Sequence, residues 1–200
     1  PPRQVNPEWA VLAMLRLANQ DADQAVHLMQ TVWQSALSRE QSDWVWGSLG
    51  RAAAMRLSDE AWGWYQNVSQ LSNLSDDMLG WMVRTALRSA NPARWAGVES
   101  AIAAMTPASR QEPVWVYWGA RAALALYGQS DPRHQAALKA LEGMASVKGF
   151  YEQLALEQLG RKISAPPRPK PPTEAELGAA RQNPSLKRAL YAIAMGLRPE

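Results

Sequence analysis

The sequence predicts an all-α fold, an α-solenoid in which antiparallel helical hairpins stack into a superhelix of the tetratricopeptide-like (TPR-like) kind. Three observations predict it: helix starts are marked repeatedly by capping residues, strand signals are absent, and helical pairs of similar length recur. No Asn-Gly or Asp-Gly dipeptide separates alternating apolar runs, which is the pattern that a β-hairpin would leave.

Five helix starts carry the same mark, a capping residue followed directly by proline. The capping side chain accepts a hydrogen bond from a free backbone N–H, and proline suits the first helical position because its missing N–H would have no partner there. The five are Asn6-Pro7, Asn91-Pro92, Thr106-Pro107, Asp131-Pro132 and Asn183-Pro184. Ser38-x-x-Gln41 and Thr173-x-x-Glu176 fit capping boxes, and Asp21, Ser58 and Ser75 are simpler caps.

Eleven helices follow from these marks and from the apolar period. They span about residues 7–19, 22–36, 39–56, 59–69, 76–89, 92–104, 113–127, 132–145, 149–159, 174–181 and 184–196. Short connections make successive helices antiparallel neighbours. The last helix is amphipathic, with Leu186, Leu190, Ile193 and Leu197 on one face.

Pairing the helices gives a repeat. The hairpins begin near Asn6, Ser38, Ser75, Glu112 and Gly149, in steps of about 32, 37, 37 and 37 residues, which is typical of an α-solenoid. The tetratricopeptide consensus of small and aromatic positions is not reproduced, so we expect a degenerate repeat. The concave face of such a solenoid is an extended binding surface.

The stretch from Gly149 to Gly160 is where the chain changes character. It fits one helix that Gly160 ends, with an apolar face formed by Phe150, Tyr151, Leu154, Ala155 and Leu159. A strap follows in which residues 165–172 contain five prolines, a composition that excludes a helix and favours an extended polyproline form. The strap is either a spacer, which we favour, or a motif for a proline-binding domain.

Composition excludes several classes of function. The net charge is only +3 and no basic run is interleaved with aromatic residues, so we expect no nucleic-acid partner. The absence of cysteine excludes disulfides and thiolate metal sites, and no apolar run reaches the length of a membrane-spanning helix. No signal peptide is visible, and a chain that opens on Pro1-Pro2-Arg3 is expected to be a segment of a longer protein.

Ten tryptophans are the main compositional anomaly: Trp9, Trp33, Trp44, Trp46, Trp62, Trp64, Trp81, Trp95, Trp115 and Trp118. Such residues either stack on sugar rings in a groove or pack between hairpins, and we favour packing. Trp33, Trp81 and Trp95 fall on apolar helical stripes and are expected in the core. The pairs Trp44/Trp46, Trp62/Trp64 and Trp115/Trp118 are close enough in sequence for one member of each to face outward.

Four ordered segments resemble the superhelical and linker regions of soluble lytic murein transglycosylases. They are Leu74–Arg88, with Leu-Ser-x-x-x-x-x-Trp-x-x-Arg-x-Ala-Leu-Arg; Pro113–Leu124, with Trp-x-Tyr-Trp-x-Ala-Arg-Ala; Gly149–Gly160, with Phe-Tyr-x-x-Leu-Ala-x-x-x-Leu-Gly; and Asn183–Leu190 followed by Gly196–Glu200. The helix from Trp44 to Ala53 extends the likeness more weakly. The resemblance implies a superhelical (U-type) domain over residues 1–160, a Pro-rich strap over 161–173 and the start of a linker domain over 174–200.

The resemblance also implies a function that these residues do not complete. In that family a lysozyme-like catalytic domain follows, whose glutamate lies in a Glu-Ser-x-Phe context before a Gly-Leu-Met-Gln segment. Neither motif occurs before Glu200. We therefore expect a periplasmic, non-catalytic scaffold that binds peptidoglycan glycan strands weakly and holds its own catalytic domain. Only the longer parent would cleave the MurNAc–GlcNAc β-1,4 bond to 1,6-anhydromuramoyl products.

The candidate chemical residues fit this expectation. The acidic clusters Asp76-Asp77 and Glu174/Glu176 lie in first turns of helices, where capping is favoured over catalysis. Glu152 and Glu157 lie near an apolar face and are weaker candidates, and His27 and His134 lack ligand spacing. We predict no catalytic residue, cofactor or metal site in this chain. A TPR-like adaptor that binds a protein partner is the alternative function.

Overall fold

The structure is a computed structural model that describes residues 6–88, 94–164 and 168–197. These residues form eleven α-helices and no β-strand, which confirms the all-α prediction. The helices are α1 (Pro7–Gln20), α2 (Ala22–Leu28), α3 (Arg39–Met55), α4 (Ala61–Tyr65), α5 (Asp76–Arg88), α6 (Trp95–Ala104), α7 (Pro113–Leu126), α8 (Pro132–Met144), α9 (Phe150–Gln158), α10 (Glu174–Gln182) and α11 (Pro184–Ala194).

Most predicted helix starts are confirmed by their hydrogen bonds. Asn6, Asp21, Asp131 and Asn183 each accept a bond from a backbone N–H in the first turn that follows. Both capping boxes are complete. Thr106-Pro107 differs, because only a short 3₁₀ turn, Ser109–Gln111, follows it. Asn91-Pro92 lies outside the described residues.

Two predicted helices are shorter than expected. Of the helix predicted over 59–69, only α4 is formed. The Ser58 hydroxyl accepts a bond from the Glu60 N–H, but Ser58 does not directly precede α4, which begins at Ala61. The chain leaves the helix because the Asn67 amide caps the Gly63 and Trp64 carbonyls and the Asp43 carboxylate takes the Ser69 and Gln70 N–H groups. The helix predicted over 22–36 continues past α2 as a wider, π-type turn at Met29–Trp33.

Successive hairpins stack on one another. Each odd-numbered helix from α1 to α7 packs against the helix that follows it, and α1 also packs on α3, α3 on α5 and α7 on α9. The odd-numbered helices α1, α3 and α5 therefore form a continuous layer. This arrangement is the stacking that the repeat of about 37 residues predicted.

The core is divided among the repeats. One cluster joins α1, α2 and α3 around Met14, Met29 and Leu49, and another joins α5, α6 and α7. A third joins α7, α8 and α9 around Leu141. Tyr65 links repeats directly: its hydroxyl donates to the Met78 carbonyl at 2.9 Å, and its buried ring lies so close to Gly50 that a Cβ there would come within 2.8 Å of it.

The chain divides into two compact units, Pro1–Ser164 and Ala165–Glu200. The first contains α1 to α9 and ends a few residues beyond Gly160. Gly160 has φ +68°, and its N–H and that of Arg161 bond to the last carbonyls of α9. Gly160 therefore ends α9, as the sequence predicted. The second contains α10 and α11. Its described residues include none that is buried, and residues 168–172 of the strap are exposed and non-helical.

Within the described ranges, no helix has the length and hydropathy that crossing a bilayer requires. The segment boundaries predicted at residues 160 and 173 remain predictions.

Candidate functional site

Asp76, the first residue of α5, is bonded to the segment that follows α6. Its carboxylate accepts bonds from the Thr106 N–H at 2.9 Å, the Thr106 hydroxyl at 2.6 Å and the Ser109 hydroxyl at 2.6 Å. The bonds from Ser109 and then Thr106 hold the pKa of Asp76 below its usual value. A general acid for glycosidic bond cleavage needs the opposite shift, so Asp76 is a structural link between α5 and the segment after α6.

The other acidic candidates also have structural surroundings. Asp77 forms an ion pair with Arg51. Glu176 completes the capping box of α10, and the backbone N–H and hydroxyl of Thr173 lower the pKa of its carboxyl. Glu174 and Glu157 are exposed on their helices, whereas Glu152 is half-buried in α9.

The two histidines are not brought together as metal ligands. Among the residues that the structure describes, no group of three or more His, Asp or Glu could hold a metal ion. His134 lies with Nδ1 2.9 Å from the Tyr127 carbonyl, in a contact cluster between α7 and α8. In that cluster the Tyr127 hydroxyl donates to Glu99 at 2.6 Å, and Arg133 lowers the pKa of Asp131 to about 2.

Asp43 is an important residue that the sequence analysis missed. Its carboxylate is buried, with 1% of its surface exposed, and accepts four hydrogen bonds: from the Ser69 N–H and hydroxyl, the Gln70 N–H and the Asn73 amide. A signal was available, because Asp43 shares the face of α3 that carries buried Trp46 and Gly50, at spacings of three and seven residues. A carboxylate on such a face requires a full set of donors.

An open cleft lies on the layer formed by α1, α3 and α5. Its volume is about 190 Å³. The lining residues, which define what we call the α1–α3–α5 cleft, are Leu15, Ala18 and Asn19 of α1, Ser48 and Arg51 of α3, Asp77 and Met78 of α5, and Ser75 directly before α5. Three repeats of the solenoid therefore contribute to one site.

The cleft combines opposite charges with small polar groups over an apolar floor. Arg51 on α3 and Asp77 on α5 are paired, and their side chains are 35% and 58% exposed. Ser75 accepts a bond from the Met78 N–H, while the amide of Asn19 donates to the Leu15 carbonyl. The cleft can therefore offer a cation, an anion and a carbonyl oxygen to one ligand.

The surface around the cleft carries aromatic and basic side chains. Trp44 lies on the cleft-facing side of α3, because it precedes Ser48 by four residues and Arg51 by seven. Trp81 and Arg84 follow Asp77 on α5 at the same spacings. The Arg84 guanidinium carbon lies 5.1 Å from the centroid of the Trp81 ring and 5.3 Å from that of Trp115, so two indoles hold this cation in place.

The tryptophans differ in exposure, and the prediction is confirmed for only some of them. Trp44 is 38% exposed while Trp46 is buried, so that pair has one outward member as expected. Trp115 is buried and Trp118 half-buried, whereas Trp62 and Trp64 are both half-buried. Trp33, Trp81 and Trp95, which were expected in the core, each pack against a core cluster but are only half-buried. Trp9, not singled out by the sequence, is 69% exposed.

Known proteins resemble this chain in fold and not in sequence. No protein-family model matches the sequence, and no curated protein does so either. Among solved structures, the chain is similar to a lytic transglycosylase, Slt, of Pseudomonas aeruginosa, whose X-ray structure is that of an inactive mutant. The TM-score is 0.64 at 22% sequence identity, over 93% of this chain and 29% of that chain. At this identity the likeness shows the fold, which is the helical fold of that enzyme.

Proposed function

We propose that these 200 residues are a non-catalytic superhelical region, of the U-type with the start of a linker domain, of a lytic transglycosylase that acts on peptidoglycan. One observation carries the proposal, the fold shared over 93% of this chain with the Pseudomonas enzyme. The chain spans about 29% of that enzyme's length, so the activity is assigned to a longer parent protein. The parent would cleave the MurNAc–GlcNAc β-1,4 bond and release 1,6-anhydromuramoyl products in the periplasm.

The proposed role of this region is to hold glycan strands and its own catalytic domain. The exposed Trp44 indole can stack on the apolar face of a sugar ring. Arg51 in the cleft and the exposed Arg84 outside it can bind the carboxylates of peptidoglycan, and Asn19 and Ser75 in the cleft can form hydrogen bonds with hydroxyl groups. Exposed groups of this kind give weak, sliding contacts, which suit a strand that must be moved toward a separate catalytic site.

The carboxyl groups with a shifted pKa in the described residues are held by hydrogen bonds that favour the charged form. In the described residues the shifted carboxyl groups, Asp76, Asp131 and Glu176, all have a pKa below the usual value. A lytic transglycosylase instead needs an acid with a raised pKa, which protonates the glycosidic oxygen and then takes the proton of the muramoyl 6-hydroxyl. We assign that acid to the parent's catalytic domain.

Purified sacculi test both halves of the proposal. The chain should sediment with sacculi weakly and in a salt-dependent manner, because Arg51 and Arg84 contribute charge. The supernatant should contain no 1,6-anhydromuropeptides above a protein-free control when examined by mass spectrometry. Release of such products, or a complete lack of sedimentation at low salt, would contradict the proposal.

A second candidate function is that of a TPR-like adaptor for a protein partner. The apolar side chains of the second unit favour it, since Leu190, Tyr191, Ile193, Met195 and Leu197 are all more than half exposed. This candidate predicts capture of one defined protein that Leu190→Asp abolishes, together with no sedimentation on sacculi. The scaffold candidate also includes a protein partner, the catalytic domain of the parent. Only sedimentation with sacculi therefore separates the scaffold from the adaptor.

A further inference from the structure

We propose that the α1–α3–α5 cleft is a binding site for an amino-acid zwitterion, with the ligand carboxylate on Arg51 and its ammonium group on Asp77. The ligand class follows from the cleft alone. The identification of its bearer, the diaminopimelate residue of a peptidoglycan stem peptide, rests on the proposed function. Diaminopimelate is suited to this site because its second amino-acid centre stays free when the first is part of the peptide.

The charges of the cleft have unused bonding capacity. Arg51 contacts Asp77 through Nε, and within the described ranges its two Nη groups form no hydrogen bond. Those groups provide the parallel pair of donors that a carboxylate accepts. Within the same ranges only Oδ2 of Asp77 is bonded, so Oδ1 can accept from an ammonium group.

Two neutral side chains in the cleft can form further hydrogen bonds with the ligand, one with its ammonium group and one with its carboxylate. The amide nitrogen of Asn19 donates to the Leu15 carbonyl, which leaves its Oδ1 as an acceptor in the same cleft as Asp77. The Ser75 oxygen already accepts from the Met78 N–H, so its hydroxyl hydrogen can donate to the ligand carboxylate. An ammonium group needs several acceptors and a carboxylate several donors, and the cleft has both.

Opening the existing ion pair is inexpensive. The Arg51 side chain is partly exposed to solvent and that of Asp77 is more than half exposed, and an ion pair in such a setting adds little to stability. A zwitterion replaces the single contact between Arg51 and Asp77 with one contact to each residue. The cleft, with a volume of about 190 Å³, has room for the charged end of an amino acid.

The position of Trp44 supports a ligand that is attached to a glycan. Trp44 and Arg51 are seven residues apart on α3, which is about 10 Å along the helix axis. A sugar ring stacked on Trp44 could therefore carry a peptide whose charged end reaches the cleft. Leu15 and Met78 give the aliphatic stem of diaminopimelate an apolar contact.

Two tripeptides that differ by one carboxylate test the inference. The first is L-Ala-γ-D-Glu-meso-diaminopimelate, and the second carries L-Lys at the third position. In an NMR titration of the full chain, the diaminopimelate peptide should bind about tenfold more tightly, because only its side chain ends in an ammonium group and a carboxylate on the same carbon, which can contact Asp77 and Arg51 together. The backbone amide signals of Asn19, Ser48 and Ser75 should move.

Variants locate the charges. Arg51→Gln and Asp77→Asn should each weaken binding of the diaminopimelate peptide about tenfold, and Arg51→Gln should abolish the difference between the two peptides. Arg39→Gln is the matched control, since Arg39 is exposed at the start of the same helix and does not line the cleft; it should bind as the unaltered chain does. Because the peptide comparison uses the unaltered chain, it stands even if a variant fails to fold.

The outcomes separate this inference from the proposed function. Equal affinity for the two peptides, signal changes outside the cleft, or unchanged binding by Arg51→Gln would overturn the zwitterion site. If sedimentation on sacculi persists in that case, the proposed function stands. Tight binding of the diaminopimelate peptide without sedimentation on sacculi would support the site and contradict the glycan-holding role.

Discussion

The two units of the chain use the same local helix signals but differ in what their helices bury. In Pro1–Ser164 each repeat contributes large side chains that are fully buried, such as Leu79 and Leu141. In Ala165–Glu200 a complete capping box and a glycine-closed C-terminus define α10 and α11, yet Leu190 and Ile193 remain more than half exposed. Capping therefore determines where helices begin and end, while burial determines which of them form a stable domain.

The largest expected effect is a direct contrast between a buried and an exposed leucine. Leu79→Ala removes a fully buried side chain and should lower the free energy of unfolding of the first unit by about 4 kcal/mol. Leu190→Ala removes a side chain that is 57% exposed and should change it by less than about 0.5 kcal/mol. Urea unfolding followed by circular dichroism measures both. Similar losses in the two variants would mean that α11 is packed in solution.

Asp43 tests whether a polar group can be as important as the apolar core. The Asp43 carboxylate is the acceptor in all four of its hydrogen bonds. The amide group of Asp43→Asn would instead point its own N–H toward one or more of these donors. We expect a loss of about 2–3 kcal/mol in the free energy of unfolding. Asp59→Asn, an exposed position, is the control and should be neutral. If Asp43→Asn were equally neutral, the four donors would not need the carboxylate, which would contradict its structural role.

Tyr65 and Tyr191 give the same contrast for a hydroxyl group. Tyr65→Phe removes the bond to the Met78 carbonyl and should lower the free energy of unfolding by about 1 kcal/mol. Tyr191→Phe alters an exposed side chain of α11 and should have no measurable effect. Burial raises the pKa of the Tyr65 hydroxyl, so absorbance at 295 nm should show Tyr65 titrating only when alkali unfolds the first unit.

The smallest expected effect is the pH dependence of two carboxyl groups. The folded-state pKa of Asp76 lies below the usual 3.8, so its contribution is present above that pH and is lost as pH falls through the lower folded value. Asp76→Asn should therefore unfold at lower urea concentration at pH 7 but lose less stability between pH 5 and about pH 3.

Glu176 has the same direction of shift but a different consequence. Its pKa is lowered by Thr173 within the capping box of α10, so protonation of Glu176 in acid should fray the start of that helix. The loss of stability of the first unit in acid has a separate cause, the protonation of its own carboxyl groups such as Asp76. Hydrogen exchange of the Leu177 and Gly178 amides at pH 3 and pH 6, corrected for intrinsic rates, measures the fraying. Exchange of these two amides that is the same at both pH values would contradict the capping role of Glu176.

The helices could be predicted from the sequence because their signals are local. All eleven predicted helices exist, and the glycine that closes α9 was identified from its position alone. The length of α4 could not be predicted, because the segment after it is held by Asp43, which lies about 26 residues earlier in α3. Residues Ser69 and Gln70 carry no sign of that contact in their own sequence.

The candidate site was predicted only in part. The outward member of the Trp44/Trp46 pair followed from the helical period. The α1–α3–α5 cleft did not, because Asn19, Arg51 and Asp77 belong to three different repeats and meet only when the repeats stack. The period of the repeat predicts that helices stack, but it does not determine which side chains of neighbouring helices come together.

Hydrogen exchange in the presence of soluble glycan strands that retain their stem peptides tests the central claim most directly. If the layer formed by α1, α3 and α5 holds peptidoglycan, exchange should slow around Asn19 near the end of α1, around Ser48 in the middle of α3 and around Asp77 at the start of α5, while α10 and α11 remain unchanged. Protection confined to α10 and α11, or no protection at saturating glycan, would contradict the account.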